Sequence, residues 1–314
     1  MTDLRRFKII PFLLVALLAA SAVFGAAPRI KVMLLTGQSN QYHDWTKSSP
    51  IVKAHLEQAG LFEVTVVTAP AKNVETSDFN PKFTDYAVVV MDYETRDWPA
   101  VTKQAFEAYM KNGGGLVTIH AADNAFPHWP EFNEMIGIGG WGMTPEGGVN
   151  ARKPDVGLRL KWRDGHAATD EVAVKAGSHP PPHDYVLTTR APDHPIMKGL
   201  PAAWLHPMDE IYSNLRGPAK NVTILATAVP DAAKFPGATG ENEPILMAIT
   251  YGKGRVFHST LGHVAPANQP PFRDLNCVGF IATLQRGTEW AATGKVTQPV
   301  PSDFPTADRI SIRN

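Results

Sequence analysis

The chain has 314 residues, of which 44% are hydrophobic and 19% are charged, and its formal net charge is zero. This is the composition of a globular protein with a substantial buried core. No basic stripe with interleaved aromatic residues occurs in the sequence, so a nucleic-acid partner is not expected.

The N-terminal segment has the pattern of a secretory signal peptide over residues 1–26. Three basic residues at positions 5, 6 and 8 precede an apolar run that ends in small residues. We therefore expect cleavage near Ala20–Ala22 and a periplasmic or secreted protein that meets the membrane only during export. An uncleaved anchor is the alternative, but the apolar run is short for a membrane span and contains Pro11. Cleavage would leave a net charge of about −2.

The first half of the mature chain alternates between apolar runs and helical stretches. Four short runs rich in β-branched residues occur at Ile30–Leu35, Phe62–Val67, Tyr86–Met91 and Gly115–His120. This alternation predicts an α/β fold with a parallel sheet covered by helices.

Two helices are expected between these strands. The first has Ser48 or Ser49 as its N-cap and Pro50 in its first turn, and it ends at Gly60. The second covers residues 99–112. Both have the length of a crossover between parallel strands.

The pattern changes over residues from about 144 to 190, which we interpret as a β-rich insertion beside the main sheet. Its strand candidates are residues 158–162, 171–175 and 185–189. The sequence HPPPHD at 179–184 predicts a loop stiffened by proline.

The α/β pattern is expected to return after this insertion. A strand at 222–229 precedes a hairpin whose turn lies in YGKGRV at 251–256, and a last helix covers about 274–286. Residues 291–314 contain many helix breakers and are predicted to form an irregular tail. The single cysteine, Cys277, has no partner, so an internal disulfide is excluded and a packed thiol is expected.

Polar side chains follow the carboxyl ends of several predicted strands, which is where open α/β sheets bind ligands. These are Gln38, Asn40, His43, Asp44 and Trp45 after the first strand, Asp92, Tyr93 and Glu94 after the third, and His120, Asp123 and Asn124 after the fourth. A later strand ends at His258, with His263 in the loop beyond it. Four separated histidines are therefore expected to face one cleft.

Each of these residues also has a structural interpretation. A histidine at a strand end is commonly a satisfied hydrogen-bonding residue, and Asp44 and Asp123 suit turns or N-caps. The tryptophans suit either the core or a surface that stacks on a sugar ring. As neutral imidazoles, the four histidines suit a divalent metal such as zinc, although a compact signature such as H-E-x-x-H is absent. The candidate metal ligands are His43, His120, His258 and His263, and no other cofactor is indicated.

Several blocks of the sequence resemble the trehalose-utilisation (ThuA-like) family, in the family's order. They are TGQSNQYHDW at 36–45, residues 113–142, APDHPIMKGLP at 191–201, DEIY at 209–212, residues 215–228 and YGKGRVFHSTLGH at 251–263. The resemblance extends from about Arg29 to Gly294. We therefore assign one ThuA-like domain to residues 29–290.

This resemblance implies a flavodoxin-like fold related to class I glutamine amidotransferases, with a parallel sheet and helices on both faces. In those amidotransferases a cysteine nucleophile occupies the strand-to-helix corner, whereas this sequence has His120 there. Glutamine hydrolysis through a thioester needs a thiolate, so amidotransferase activity is not expected.

The family is linked to the catabolism of trehalose and related disaccharides, beside oxidoreductases that make 3-keto sugars. The resemblance therefore implies an enzyme that acts on a disaccharide, a glycoside or its 3-keto derivative, and the signal peptide predicts that this enzyme is exported. A ketone at C3 acidifies the proton at C2, so His120 and His258 would act as base and acid, with Asp123 beside them. The residues expected to hold the sugar are Gln38, Asn40, His43, Asp44, Trp45, Asn124, Asp209, Glu210 and His263.

Two other functions stay open at this point: a non-catalytic sugar-binding or accessory protein, and a metal-dependent hydrolase. In all three cases the expected partner is a small-molecule sugar. Assembly into a homo-oligomer is also left open by the sequence.

Overall fold

A computed structural model describes residues 28–71, 74, 77–94, 97–141, 157–171 and 176–313. The predicted signal peptide, residues 144–156 of the predicted insertion and most of the strand candidate at 171–175 lie outside the described residues. Among the residues that are described, no helix is long and apolar enough to cross a bilayer.

Helices and strands alternate in the first half of the described chain and strands dominate the second half. In chain order the elements are β1 (Ile30–Thr36), α1 (Trp45–Gln58), β2 (Phe62–Thr68), β3 (Val88–Met91), α2 (Ala100–Lys111), β4 (Gly115–Ile119), α3 (Pro130–Ile136), β5 (Leu158–Arg163), β6 (His166–Asp170), β7 (His183–Thr189), β8 (Ala203–Asp209), β9 (Arg216–Gly217), β10 (Val222–Ala228), β11 (Glu243–Tyr251), β12 (Gly254–Ser259) and α4 (Val278–Thr293). Short 3-10 turns occupy Phe83–Asp85 and His120–Asn124.

The main sheet has nine strands in the order β2-β1-β3-β4-β12-β11-β10-β7-β8. Strands β1 to β4 and β12 pair in parallel, whereas the pairs from β12 to β8 are antiparallel. The α/β class is therefore confirmed, but the prediction of a parallel sheet is wrong for its second half. A tight turn between Tyr251 and Gly254 joins β11 to β12, as the sequence predicted, and such a turn joins only antiparallel strands.

The predicted β-rich insertion contributes to two sheets. Strands β5, β6 and β9 form a small antiparallel sheet, whereas β7 pairs with β10 and β8 in the main sheet. Asp164 and Gly165, both with positive φ, connect β5 to β6 as a two-residue hairpin loop. The sheet is attached to β11 through the buried ion pair of Lys161 and Glu243.

Helix α1 begins earlier than the sequence predicted. Asp44, not Ser48 or Ser49, is its N-cap, because the Asp44 carboxylate accepts a hydrogen bond from the backbone N–H of Thr46 at 3.1 Å. Pro50 therefore lies inside the helix. The last helix also differs from the prediction, since α4 covers Val278–Thr293.

Alternate residues of the parallel strands pack into two separate buried clusters. Val32 and Val88 belong to a cluster that includes Leu56 of α1 and Phe280 of α4. Met33, Val89 and Leu116 belong to a second cluster that includes Phe106 of α2 and Phe132 of α3. The period of two along each strand thus supplies apolar side chains to both clusters.

Candidate active site

Four loops at the carboxyl ends of strands bring three histidines and one glutamate together. His43 follows β1, His120 follows β4, Glu210 follows β8 and His263 follows β12. Each residue offers one ligand atom, and these four atoms all lie within 4.8 Å of one another. We call His43, His120, Glu210 and His263 the histidine–glutamate cluster.

His120 occupies the sharp corner where β4 ends. Its backbone has a φ of +45°, a left-handed conformation that is uncommon outside glycine. The Nδ1 atom lies 2.7 Å from the carbonyl oxygen of Thr260, which only accepts, so Nδ1 carries the proton of the neutral ring. The Nε2 atom then faces the cluster, 3.2 Å from Nδ1 of His263 and 3.5 Å from Oε2 of Glu210.

His43 is oriented in the same way by two acceptors. Its Nδ1 atom lies 3.0 Å from Oδ1 of Asn40 and 3.3 Å from Oε2 of Glu94. Its Nε2 atom lies 3.4 Å from the hydroxyl of Tyr212, which also contacts Nε2 of His120 at 2.8 Å. An imidazole whose outer nitrogen donates to a carboxylate or carbonyl presents its other nitrogen as a metal ligand or proton acceptor.

The buried carboxylate of Asp209 holds the other half of the cluster. Its oxygens accept hydrogen bonds from the backbone N–H groups of Glu210 at 2.8 Å, Gly262 at 2.8 Å and His263 at 3.1 Å. Nε2 of the fully buried His206 contacts Oδ2 at 2.9 Å. Asp209 was predicted to bind sugar, but all of these donors come from the protein and its side chain is fully buried. Asp209 therefore positions Glu210 and His263 through the hydrogen bonds that it accepts from their backbone N–H groups.

The cluster has the electrostatics of a site that attracts a cation. Burial alone would lower the pKa of His120, but the hydrogen bond and charge of Glu210 and the charge of Asp209 raise it to about 9. Burial and the positive charge of His120 lower the pKa of His263 to about 4. Burial would raise the pKa of Glu210, but His120 lowers it overall. One positive charge is therefore favoured at the centre of the cluster.

A divalent metal matches this donor set. Three imidazole nitrogens and one carboxylate suit zinc and other divalent transition metals. Two atoms that each lie about 2.1 Å from one zinc ion are at most about 4.2 Å apart. The separations in the cluster, up to 4.8 Å, are therefore close to those of a coordination sphere.

His258 lies apart from this cluster, so the expectation of four histidines in one cleft is wrong for one of them. Its Nδ1 atom contacts the carbonyl oxygen of Ile136 at 2.9 Å, and its Nε2 atom lies 3.8 Å from Oδ2 of Asp123. Both side chains are fully buried, and neither Nε2 of His258 nor the Asp123 carboxylate has a hydrogen-bond partner among the described residues. Burial raises the pKa of Asp123 above its usual value. The two histidines differ in position, because His258 is still within β12 whereas His263 lies in the loop beyond it.

Of the remaining predicted site residues, some border a pocket beside the cluster and others lie away from it. Gln38 and Trp45 line a pocket that also borders His43, His120 and Asp92. Asp44 borders this pocket as well, although one of its oxygens caps α1. Asn124 packs against Gly140, and no contact with the cluster is seen in the described part of the chain. Of the tryptophans, Trp129, Trp141 and Trp204 are core residues.

Four further residues complete the surroundings of the cluster. They are Glu94 beside His43, Tyr212 between two of the histidines, His179 with its Nδ1 atom 3.1 Å from Oε1 of Glu210, and Asp92 in the pocket. Glu94 and Asp92 follow the end of a predicted strand, and this position in the sequence does indicate that they lie near the site. His179 comes from the proline-rich loop, and no sequence pattern indicates that this loop reaches Glu210.

The trehalose utilisation family, ThuA, matches residues 31–291. The chain belongs to the ThuA family. This confirms the resemblance seen in the sequence, and the match includes all four residues of the histidine–glutamate cluster.

One solved structure supports the assignment to ThuA, and a second one shows the fold. A ThuA-like protein from Parabacteroides merdae is 42% identical, with a TM-score of 0.84 over 91% of this chain and 98% of that chain. A ThuA-like protein from Bacteroides uniformis is 21% identical, with a TM-score of 0.54 over 88% of this chain and 98% of that chain, which shows the fold. No curated protein matches the sequence.

Proposed function

We propose that this ThuA-family protein is a metal-dependent enzyme of carbohydrate catabolism that acts on a disaccharide, a glycoside or its 3-keto derivative. The observation that carries the proposal is the convergence of His43, His120, His263 and Glu210 on one point. When bound there, a divalent cation would polarise a sugar oxygen and stabilise the negative charge that develops on it.

The protein's own residues would then orient the metal ligands and the substrate. Glu94 and Asn40 fix the ring of His43, and the carbonyl of Thr260 fixes the ring of His120. The pocket beside these rings contains Gln38 and Trp45, which suit hydrogen bonding to hydroxyl groups and contact with a sugar ring. The family's description, trehalose utilisation, supports a sugar as the substrate.

A second candidate mechanism uses the histidines themselves for acid–base chemistry without a metal. It is favoured by the pKa of His120, which Glu210 and Asp209 raise, against the effect of burial, to about 9. A protonated His120 would donate a proton to a departing oxygen at neutral pH. Amidotransferase chemistry is not part of either mechanism, because the only cysteine, Cys277, is buried at the N-terminus of α4.

Metal binding is tested by elemental analysis and by unfolding. Purified protein is expected to carry about one divalent metal per chain. Zinc added to the metal-free protein at 100 times its Kd is expected to raise the free energy of unfolding by about 2.7 kcal/mol, measured with urea. A chelator should remove turnover of plain or 3-keto disaccharides, and the metal should restore it.

The same experiment separates the alternatives. The variant His263→Ala should bind no metal, whereas His166→Ala, which alters an exposed histidine of β6, should behave as the wild type. Turnover that is unaffected by the chelator in a metal-free protein would contradict the metal-dependent proposal and favour histidine acid–base chemistry. Sugar binding without turnover on any disaccharide would favour a binding protein.

We also propose that the parallel half of the sheet is the flavodoxin-like arrangement of the class I glutamine amidotransferases, with helices on both faces. The strand order β2-β1-β3-β4 supports this. So does the membership of the two buried clusters, since one includes α1 and α4 and the other includes α2 and α3.

Export is a further part of the proposal and has its own test. Residues 1–26 have the basic and apolar regions of a signal peptide. Mass spectrometry of protein recovered from the periplasm or medium of the native host should show a chain that starts close to Ala22. Full-length chain in the membrane fraction would indicate an uncleaved anchor instead.

A further inference from the structure

The proposed metal ligands leave the site without an obvious group that moves a proton. An imidazole that binds a metal through Nε2 and donates from Nδ1 has no free lone pair. His43 and His120 are held in this state by acceptors on their Nδ1 atoms. Another residue at the mouth of the cluster is therefore needed for chemistry that removes a proton from the substrate.

Asp92 lies where an open α/β sheet binds its ligand. In the order β2-β1-β3-β4, the chain leaves β1 toward one edge of the sheet and leaves β3 toward the other. The crevice between the carboxyl ends of β1 and β3 is therefore the topological switch point. Asp92 directly follows β3 and borders the pocket that also contains His43 and His120.

The carboxylate of Asp92 is fixed on one oxygen only. Its Oδ2 atom accepts hydrogen bonds from the hydroxyl groups of Ser48 and Ser49, both at 2.6 Å. No donor contacts Oδ1 among the residues that the structure describes, and Asp92 as a residue is partly exposed. Two buried serines of α1 thus hold the carboxylate in place while its second oxygen stays available.

We propose that Asp92 is the catalytic base of this site, an inference that rests on the proposed function and on the 3-keto glycoside named there as its substrate. Oδ1 takes the proton from C2, and the C–H electron pair forms the enolate of the C3 ketone. The enolate then forms the C1–C2 double bond, and the C1–O bond breaks with its electron pair on the departing oxygen. That oxygen takes the proton back from Asp92, which gives an alcohol and an unsaturated keto sugar.

The test uses the metal-loaded protein with the 3-keto derivative of trehalose as substrate. Asp92→Asn is expected to lower kcat by about a hundredfold or more, with little change in KM or in metal content. It should also stop the exchange of the C2 proton in D2O, followed by NMR. The control is Asp97→Asn, which alters an exposed carboxylate that pairs with Lys103 at 2.7 Å.

A second variant distinguishes loss of the base from a folding defect. Asp92→Ala opens space at the same position, and added formate should restore part of its turnover, which a purely structural residue would not show. A fall in kcat of less than about tenfold, or a loss of activity that follows loss of the metal, overturns the assignment of Asp92. Wild-type protein that turns over no plain or 3-keto disaccharide overturns the proposed function itself, and the inference with it.

Discussion

Replacing His120 with alanine is expected to abolish metal binding and to lower kcat/KM by about a thousandfold or more. Nε2 of His120 faces the centre of the cluster. It lies 2.8 Å from the hydroxyl of Tyr212 and 3.2 Å from Nδ1 of His263. The carbonyl of Thr260 fixes the His120 ring at Nδ1, so its Nε2 atom is already oriented toward the cluster. Calorimetric titration with zinc measures the first effect and steady-state kinetics the second.

The left-handed backbone conformation at this corner leads to a second, independent prediction for the same position. His120 has a φ of +45°, which costs a residue with a Cβ about 1–2 kcal/mol relative to glycine. His120→Gly and His120→Ala both remove the imidazole, but only the glycine variant relieves this cost. In the metal-free state His120→Gly is therefore expected to be more stable than His120→Ala by about 1 kcal/mol, measured by urea unfolding.

Two results would contradict these expectations. Stoichiometric zinc binding by His120→Ala would remove His120 from the ligand set. Equal stability of the alanine and glycine variants would show that the corner is not strained. His166→Ala is the matched control for both measurements, because it removes an exposed imidazole from strand β6.

The sequence predicts the elements whose signals are local. The first four strands and the hairpin between β11 and β12 were found because period, length and turn residues agree over a few residues. The Asp164–Gly165 turn carries an equally local hairpin signal, although the predicted strands do not include this hairpin. The other antiparallel pairs of the main sheet have no such signal, because the connections between their strands are long and do not fix the strand direction.

The start of α1 shows how a distant contact decides between two local signals. Asp44 and Ser48 are both good N-caps, and Pro50 favours the later start. The backbone N–H of Asp44 donates to the carbonyl of Val264 at 2.8 Å, which fixes Asp44 beside the loop of His263. That loop is more than two hundred residues away along the chain, so the sequence alone does not reveal the choice.

The candidate site was predictable only in part for the same reason. His43, His120 and His263 follow strand ends, and convergence of parallel strands brings such residues together. Glu210 follows β8, which is an edge strand of the main sheet, so its arrival beside His120 depends on the path of the chain after β8. The prediction that His258 joins the cluster is wrong because His258 is still within β12. Alternate residues of a strand point to opposite faces of the sheet, and the sequence does not show which face borders the site.

Removing the carboxylate of Asp209 is expected to have the largest effect on stability. Asp209 and His206 form a fully buried ion pair, and loss of one partner from such a pair costs about 3–5 kcal/mol because the other charge is left uncompensated. Asp209→Asn is therefore expected to lower the free energy of unfolding by about 3–5 kcal/mol at pH 6, measured with urea.

The variant should also weaken metal binding, because Asp209 holds the backbone of Glu210 and His263. Residues that orient metal ligands typically contribute about 10-fold to 100-fold in affinity, and we expect a loss of zinc affinity in this range. The matched control is Asp303→Asn, which breaks the exposed pair with Arg313 and should cost less than about 1 kcal/mol.

The pH dependence of this effect follows from the direction of the two pKa shifts. Burial alone would lower the pKa of His206, but Asp209 and Cys277 raise it to about 10, above the value of 6.5 in the unfolded chain. Its contribution to stability is therefore complete below pH 6.5 and is lost as the pH rises through about 10. Burial alone would raise the pKa of Asp209, but His206 lowers it overall, so the contribution of Asp209 is lost only in acid.

The difference in unfolding free energy between wild type and Asp209→Asn should thus be largest between the unfolded-state pKa values of the two groups, which are 3.8 and 6.5. It should shrink as the pH approaches 10, because His206 then loses the proton that the pair stabilises. Urea unfolding of both proteins at pH 6 and at the alkaline end of this range measures the change. A difference that stays constant, or grows with pH, would show that the two side chains do not act as a charged pair. Asp209 would then hold Glu210 and His263 through its backbone hydrogen bonds alone.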